Sequence, residues 1–128
     1  MKPKVLVIED DSEMATMLKV TLSARFDVEI CTEKAHAINR AKAYMIEHGE
    51  PDAVIIDLII NGEGGLDFYQ WLHNHDYYPP VIFLTGCHQQ SPEFIAAQDT
   101  GEQVYEKDHF SSAKLAQFLS EMVADKAS

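Results

Sequence analysis

The sequence predicts an α/β protein, a (βα)5 chain whose five strands form one doubly wound parallel sheet with helices on both faces. Three observations lead there. Short runs of continuous apolar, mostly β-branched residues recur along the chain, as expected of strands buried on both faces. Segments with apolar residues at helical spacing separate these runs. The connections are short, so successive parallel strands need right-handed crossovers that cover both faces.

Lys4-Val5-Leu6-Val7-Ile8 is the first strand, and Ser12 is the expected N-cap of a helix carrying Met14, Met17, Leu18 and Leu22. Val28 to Cys31 reads as a weaker strand. Thr32 is the expected cap of a second helix running to about His48, which Gly49-Glu50-Pro51 breaks. Ala53-Val54-Ile55-Ile56 is the most hydrophobic strand, and it ends at Asp57. The run Asn61-Gly62-Glu63-Gly64-Gly65 leads into a helix with Leu66, Tyr69 and Leu72 on one side. It lacks a following Lys-Ser/Thr and a GxGxxG spacing, so it reads as a flexible turn rather than a phosphate cradle. Pro79-Pro80 opens a strand over Val81–Thr85. Ser91-Pro92-Glu93 then supplies a cap, an N1 proline and an early acid for a helix that Gly101 stops. Val104 to Lys107 is a short fifth strand. Ser111 or Ser112 caps a last helix with Leu115, Phe118, Leu119 and Met122.

Composition excludes several classes. At 128 residues and 46% apolar the chain suits one domain over residues 1–128, with neither a linker nor room for a second domain. A formal net charge of −11 argues against a nucleic-acid or anionic-membrane surface. No apolar run approaches the ~20 residues of a membrane span, and the start of the chain is too short in its apolar part for a signal peptide. Cys31 and Cys87 both lie in or beside apolar segments, which fits reduced thiols in the cytoplasm better than a disulfide framework.

The chemistry should lie beyond the carboxyl ends of the strands. Glu9, Asp10 and Asp11 follow the first strand and Asp57 the third; Thr85 and Lys107 end the fourth and fifth. Neighbouring strands are ~4.8 Å apart, so adjacency of the first and third would bring their carboxylates together. Clustered oxygen ligands suit a hard divalent cation, Mg²⁺ by default. Simpler readings exist for each residue. An acid triplet opening a helix complements its dipole, threonine is common in strands, and His73 and His75 read as surface histidines near a helix end. Asp57 is harder to dismiss, because an unpaired carboxylate in an apolar strand is costly.

Glu9-Asp10, Asp57, Thr85 and Lys107, each at the end of its own strand and in this order, resemble the receiver domain of two-component response regulators. The resemblance covers essentially the whole chain. It implies a flavodoxin-like fold with strand order 2-1-3-4-5, which sets the first and third strands side by side. It implies that Asp57 is a phosphoacceptor, charged by a histidine kinase or phosphotransfer protein, and that the chain is not an enzyme beyond its own phosphorylation and dephosphorylation. Mg²⁺ would be held by Asp10 and Asp57, by Glu9 through water and by the backbone carbonyl of Ile59, with Lys107 and Thr85 on the remaining phosphoryl oxygens. Asp11 looks spare. Output would pass to a protein target through the last two helices and the fifth strand, in the cytoplasm, with no output domain in these residues.

Departures from the family pattern bound these expectations. Asn61 and Gly64 replace the usual proline and Asp or Asn, and Asp108 replaces the proline after the lysine, so a trans Lys107-Asp108 peptide is expected. Lys107 lies one residue nearer to Gly101 than is common. Either the intervening loop is shorter, or Asp108 takes the lysine's place and Glu106 is buried. Strand alternation favours the shorter loop, which turns Tyr105 inward and puts Val104 at the family's aromatic switch position. Ile59 and Cys87 flank the water path to the phosphoryl group by resemblance, and their poor hydrogen bonding implies a long-lived phosphorylated state. The alternatives are a receiver-like interaction domain that no longer cycles phosphate, an aspartyl-nucleophile phosphatase and a flavodoxin-like electron carrier. The phosphatase wants a second acid where Ile59 stands, and the carrier wants a hydroxyl- and amide-rich loop where the acids stand.

Overall fold

The computed structural model describes residues 2–31, 37–60, 63–86, 90–107 and 111–127. Strands and helices alternate as β1 (Lys4–Ile8), α1 (Ser12–Leu22), β2 (Asp27–Cys31), α2 (Ala37–His48), β3 (Ala53–Asp57), α3 (Gly65–Asn74), β4 (Val81–Thr85), α4 (Pro92–Asp99), β5 (Gln103–Glu106) and α5 (Ser112–Ala127). The sheet runs β2-β1-β3-β4-β5, with every pairing parallel. This is the doubly wound, flavodoxin-like order expected from the sequence, and it makes β1 and β3 neighbours.

Alternation along each strand divides the core into two layers. Leu6, Ile8, Val54, Ile56, Val81 and Phe83 face α2, α3 and α4, where Ile38, Met45, Phe68, Leu72 and Ala97 meet them. Val5, Val7, Ile55, Ile82 and Leu84 face α1 and α5, meeting Leu18, Leu22, Leu115 and Leu119. The central strands β3 and β4 are buried at every position, which explains their unbroken apolar sequence. Each fully buried aliphatic or aromatic side chain contributes about 1.5–3 kcal/mol relative to exposure. The edge strands are less covered, β2 mixing buried and open positions and β5 being at most half-buried throughout, so their sequence signal is weaker.

Helix ends follow local chemistry, with one correction. Asp11, not Ser12, is the N-cap of α1: its carboxylate Oδ1 accepts from the Glu13 N–H at 3.0 Å and the Met14 N–H at 3.4 Å. Aspartate caps as well as serine does, and its charge also complements the helix dipole. Asp11 is therefore engaged rather than spare. Ser91 caps α4 with Pro92 at the first helical position, and the Ser111 hydroxyl accepts from the Lys114 N–H at 3.3 Å to cap α5. Gly49 and Gly101 take the left-handed backbone after α2 and α4, with φ of +90° and +83°. The expected Thr32 cap, and Asn61 and Gly62, lie outside the described residues.

The glycine run is more constrained than a flexible turn. Ile59–Ile60 pairs antiparallel with Glu63–Gly64, and the Gly65 N–H donates to the Leu58 carbonyl at 2.7 Å. A Cβ on Gly65 would lie 2.1 Å from the Asp57 carbonyl oxygen and 2.7 Å from Ile56 Cγ2. The start of α3 thus rests directly on the end of β3, and only a residue without a side chain fits. Gly65→Ala is expected to cost about 2–4 kcal/mol in urea unfolding, since backbone must move. Gly64→Ala, whose Cβ would meet nothing nearer than 3.8 Å, should change stability by less than about 1 kcal/mol. Equal costs at the two positions would show that the contact with Asp57 does not constrain Gly65.

Candidate functional site

The candidate residues are held by the sheet ladder at or one step beyond the ends of their strands. The Glu9 N–H donates to the Cys31 carbonyl at 3.2 Å, the Leu58 N–H to Leu84 at 3.0 Å and the Lys107 N–H to Thr85 at 2.8 Å. These bonds carry the parallel register past the strand ends and fix the backbones of Glu9, Asp57 and Lys107 at the carboxyl edge. Short β-branched strands supply the rigid frame, and the polar residues that end them project into the space above β1 and β3.

The structure brings Glu9, Asp10, Asp57 and Lys107 together. One carboxylate oxygen from each of Glu9, Asp10 and Asp57 lies within 4.8 Å of the others. The Lys107 ammonium donates to Asp57 Oδ2 at 2.8 Å and to Glu9 Oε1 at 2.5 Å. Glu9 and Thr85 are fully buried, Asp57 is 4% exposed, and Asp10 is half-buried. Thr85 ends β4 next to β3, where Asp57 pairs with Leu84. Ile59 lies two residues beyond Asp57, and its backbone is tied to Gly64. Lys107 reaches the cluster as the shorter loop requires, and Asp108 and Cys87 lie outside the described residues. Val104 packs in the α2–α4 layer, whereas Tyr105 packs in the α1–α5 layer with its ring 6.4 Å from Phe118.

Electrostatics sharpen the picture. Burial pushes the Glu9 carboxyl up to about 9, and the nearby Asp57 adds to this while Lys107 opposes it. Burial therefore favours the protonated form of Glu9, whose Oε1 accepts from Lys107. Burial alone would lower the Lys107 ammonium. Its hydrogen bonds and charge attraction to Asp57 and Glu9 outweigh that and hold it above the ordinary lysine value. The result is a largely buried cluster in which the Lys107 ammonium is paired with Asp57 and Glu9.

A hard divalent cation fits this donor set. Among the described residues the grouped ligand atoms are all carboxylate oxygens, and Glu9 Oε2 is buried with no hydrogen-bond partner among them, which suits an oxygen offered to a cation. Sequence reasoning found these residues but missed the bond from Lys107 to Glu9, because Glu9 was assigned to metal alone. It also missed the constraint on Gly65. A glycine eight positions after an aspartate gives no hint that a helix start rests on that aspartate's carbonyl. His73 and His75 do not join the cluster; their rings pack, tilted, against Tyr69 and Trp71.

Comparisons with known proteins agree with this geometry. A family model described as the response regulator receiver domain matches residues 5–119. The DNA-binding response regulator MtrA of Mycolicibacterium smegmatis is 25% identical over 116 residues, which cover 90% of this chain and 48% of that protein. The alkaline phosphatase synthesis transcriptional regulatory protein SphR of Synechococcus elongatus is 28% identical over 100 residues, or 74% of this chain and 39% of that one. The chain thus spans less than half the length of these relatives. The Francisella response regulator 1452 receiver domain superposes with a TM-score of 0.77 at 23% identity, over 98% of this chain and 99% of that one. A CheY-like receiver domain from Methanospirillum hungatei gives 0.79 at 16% identity, over 99% and 98%. With the fold and the matched family in agreement, this chain belongs to the response regulator receiver domain family.

Proposed function

We propose that the chain is a phosphorylatable receiver in which Asp57 accepts a phosphoryl group from a histidine kinase or phosphotransfer protein and the change is passed on by protein contact. The observation that carries this reading is the 2.8 Å contact between the Lys107 ammonium and Asp57 Oδ2 beside two further acids. Receiver domains are signalling modules rather than enzymes, and nothing in this reading requires turnover of a separate substrate. Residues 1–128 are read as a single receiver unit. No described helix is long and apolar enough to cross a membrane, and the cytoplasm, where such kinases present phosphohistidine, is the compartment this function implies.

The chemistry follows from the groups present. A carboxylate oxygen of Asp57 attacks phosphorus in line; the bond from phosphorus to the donor nitrogen breaks, and its electron pair returns to the donor. Negative charge on the equatorial oxygens is met by the Lys107 ammonium and by the Thr85 hydroxyl as donors. Glu9, Asp10, Asp57 and the Ile59 carbonyl would hold Mg²⁺, which when bound neutralises phosphoryl charge that the lone ammonium leaves uncompensated. Burial matters as well as charge. The fully buried Glu9 and Thr85 keep the dielectric low, so each fixed donor acts strongly. Signal output is assigned to α4, β5 and α5, because Lys107 joins Asp57 to the end of β5 and Tyr105 joins β5 to α5.

Incubation with acetyl phosphate or phosphoramidate and Mg²⁺ should add the mass of one phosphoryl group to the intact parent and none to Asp57→Ala. Labelling of both would place the acceptor elsewhere, and labelling of neither would favour an interaction domain that no longer cycles phosphate. Millimolar Mg²⁺ should stabilise the parent by RT ln(1 + [L]/Kd), about 2.7 kcal/mol at a hundredfold excess over Kd, and so raise its melting temperature. Asp10→Ala should lose that gain. Because the folded Glu9 value is raised to about 9, the stability it contributes is full below its ordinary value and is lost as pH rises towards 9. The metal-bound form needs Glu9 deprotonated, so the gain from Mg²⁺ should grow with pH. A gain that is flat with pH in the parent would remove Glu9 from the site.

A further inference from the structure

The outer edge of β2 plays no part in the phosphoryl chemistry. β2 closes the sheet on the side away from β5, and its one partner strand is β1. The Asp27 N–H donates to the Pro3 carbonyl, and the Cys31 carbonyl accepts from the Glu9 N–H. Backbone groups alternate in direction along a strand, so those of Asp27, Glu29 and Cys31 are turned to β1. Val28 and Ile30 turn their N–H and C=O outwards, where no described strand meets them. An added strand can bond to both residues without disturbing the ladder between β1 and β2.

Two cavities flank this edge. The first, of about 560 Å³, lies on the α2 side and is walled by Glu29, Cys31, Arg40, Tyr44, Glu47 and His48. Its groups lie close to the strand: burial raises the Tyr44 hydroxyl above its ordinary value, and the charges of Glu29 and Asp27 add to that. Burial pushes the Cys31 thiol up to about 11, so it stays neutral and forms a small wall rather than a charge. The second cavity, of about 610 Å³, lies on the α1 side, with Lys2, Lys19 and Ser23 beside Asp27, Val28 and Glu29. The Lys2 ammonium donates to the Ser23 carbonyl at 2.7 Å, which holds it at this border. Glu29 belongs to both cavities, so they adjoin along the strand.

We propose that the β2 edge takes an extended segment of a partner protein as a sixth strand, one in which a basic residue neighbours an acidic one. The outward N–H and C=O of Val28 and Ile30 supply the backbone bonds. Successive side chains of an added strand fall on opposite faces. The basic one enters the α2-side cavity, where the carboxylates of Glu29 and Glu47 outnumber the single guanidinium of Arg40 and Tyr44 offers a ring. The acidic one meets Lys2 and Lys19 on the α1 side. Charge decides against a second copy of this chain. Two β2 edges laid side by side would set the exposed Asp27 and Glu29 of each copy against like charges. The segment lies at the border opposite β5, away from the face assigned to output.

The test is titration of the isotopically labelled chain with the end-capped peptide Thr-Val-Lys-Glu-Val-Thr, followed by amide NMR. Saturable shifts should map to residues 19–23, 27–31 and 40–48, and hydrogen exchange of the Val28 and Ile30 amides should slow. The same peptide with its backbone nitrogens methylated keeps the charges but cannot donate to the edge, and should bind roughly tenfold more weakly. Glu47→Lys and Lys19→Glu, both exposed helix positions, should each weaken binding roughly fivefold. Equal binding of the methylated peptide would reduce the contact to charge attraction, and unchanged affinity in both variants would remove the two cavities from it. Slowed exchange of Val28 and Ile30 on concentrating the chain alone would give the edge to a second copy. Each of these results, or the absence of any shift, would overturn the proposal.

Discussion

Two carboxyl groups, Glu9 and Asp57, are taken out of water at the ends of adjacent strands, and a single ammonium from the far edge of the sheet reaches both. Burying a carboxylate without a partner costs several kcal/mol, so this bridge is a condition on the whole fold. Lys107 can make it only if β5 pairs in parallel beside β4 and β4 beside β3, with the ladder continuing one residue past each strand. A one-residue slip of β5 would turn the ammonium to the other face and bring Glu106 towards the acids. The sheet order, the register and the charge balance of the pocket are therefore one constraint seen at three scales.

The same constraint explains what was legible in the sequence. β3 and β4 are buried on both faces, so their residues are apolar without interruption and their limits could be read to the residue. β2 and β5 lie at the edges and are only partly covered, which blurs their ends; β2 begins at Asp27 and β5 at Gln103, each one residue before the expected start. Asp57 stood out because a carboxylate ending the most buried strand needs a partner. The α1 cap was misplaced by one residue because Asp11 and Ser12 are equally good caps, and only the backbone angles choose between them. Gly65 was misread because a close approach between distant backbone atoms leaves no local signature.

The arrangement also suggests how a local reaction could be felt at a distance. Phosphoryl oxygens on Asp57 would compete with Glu9 and Asp57 for Lys107, and the ammonium would follow the greater charge. Because the Lys107 backbone is tied to Thr85 and Tyr105 of β5 meets Phe118 of α5, a shift of Lys107 in the proposed receiver would bear on the face formed by β5 and α5. Val104, lacking a ring, contributes packing to the opposite layer. In this chain, then, the aromatic ring that joins β5 to a helix belongs to Tyr105, on the α5 side.

The dependence of the fold on the Lys107 bridge is most directly tested by urea unfolding at neutral pH without divalent cations, comparing the parent, Lys107→Met and Lys107→Met with Asp57→Asn. Removing one partner of a buried pair leaves an uncompensated charge, so the single variant should lose about 3–5 kcal/mol. The double variant should recover most of that, because the stranded carboxylate is gone. A single variant within about 0.5 kcal/mol of the parent, or a double variant no more stable than the single, would contradict the account.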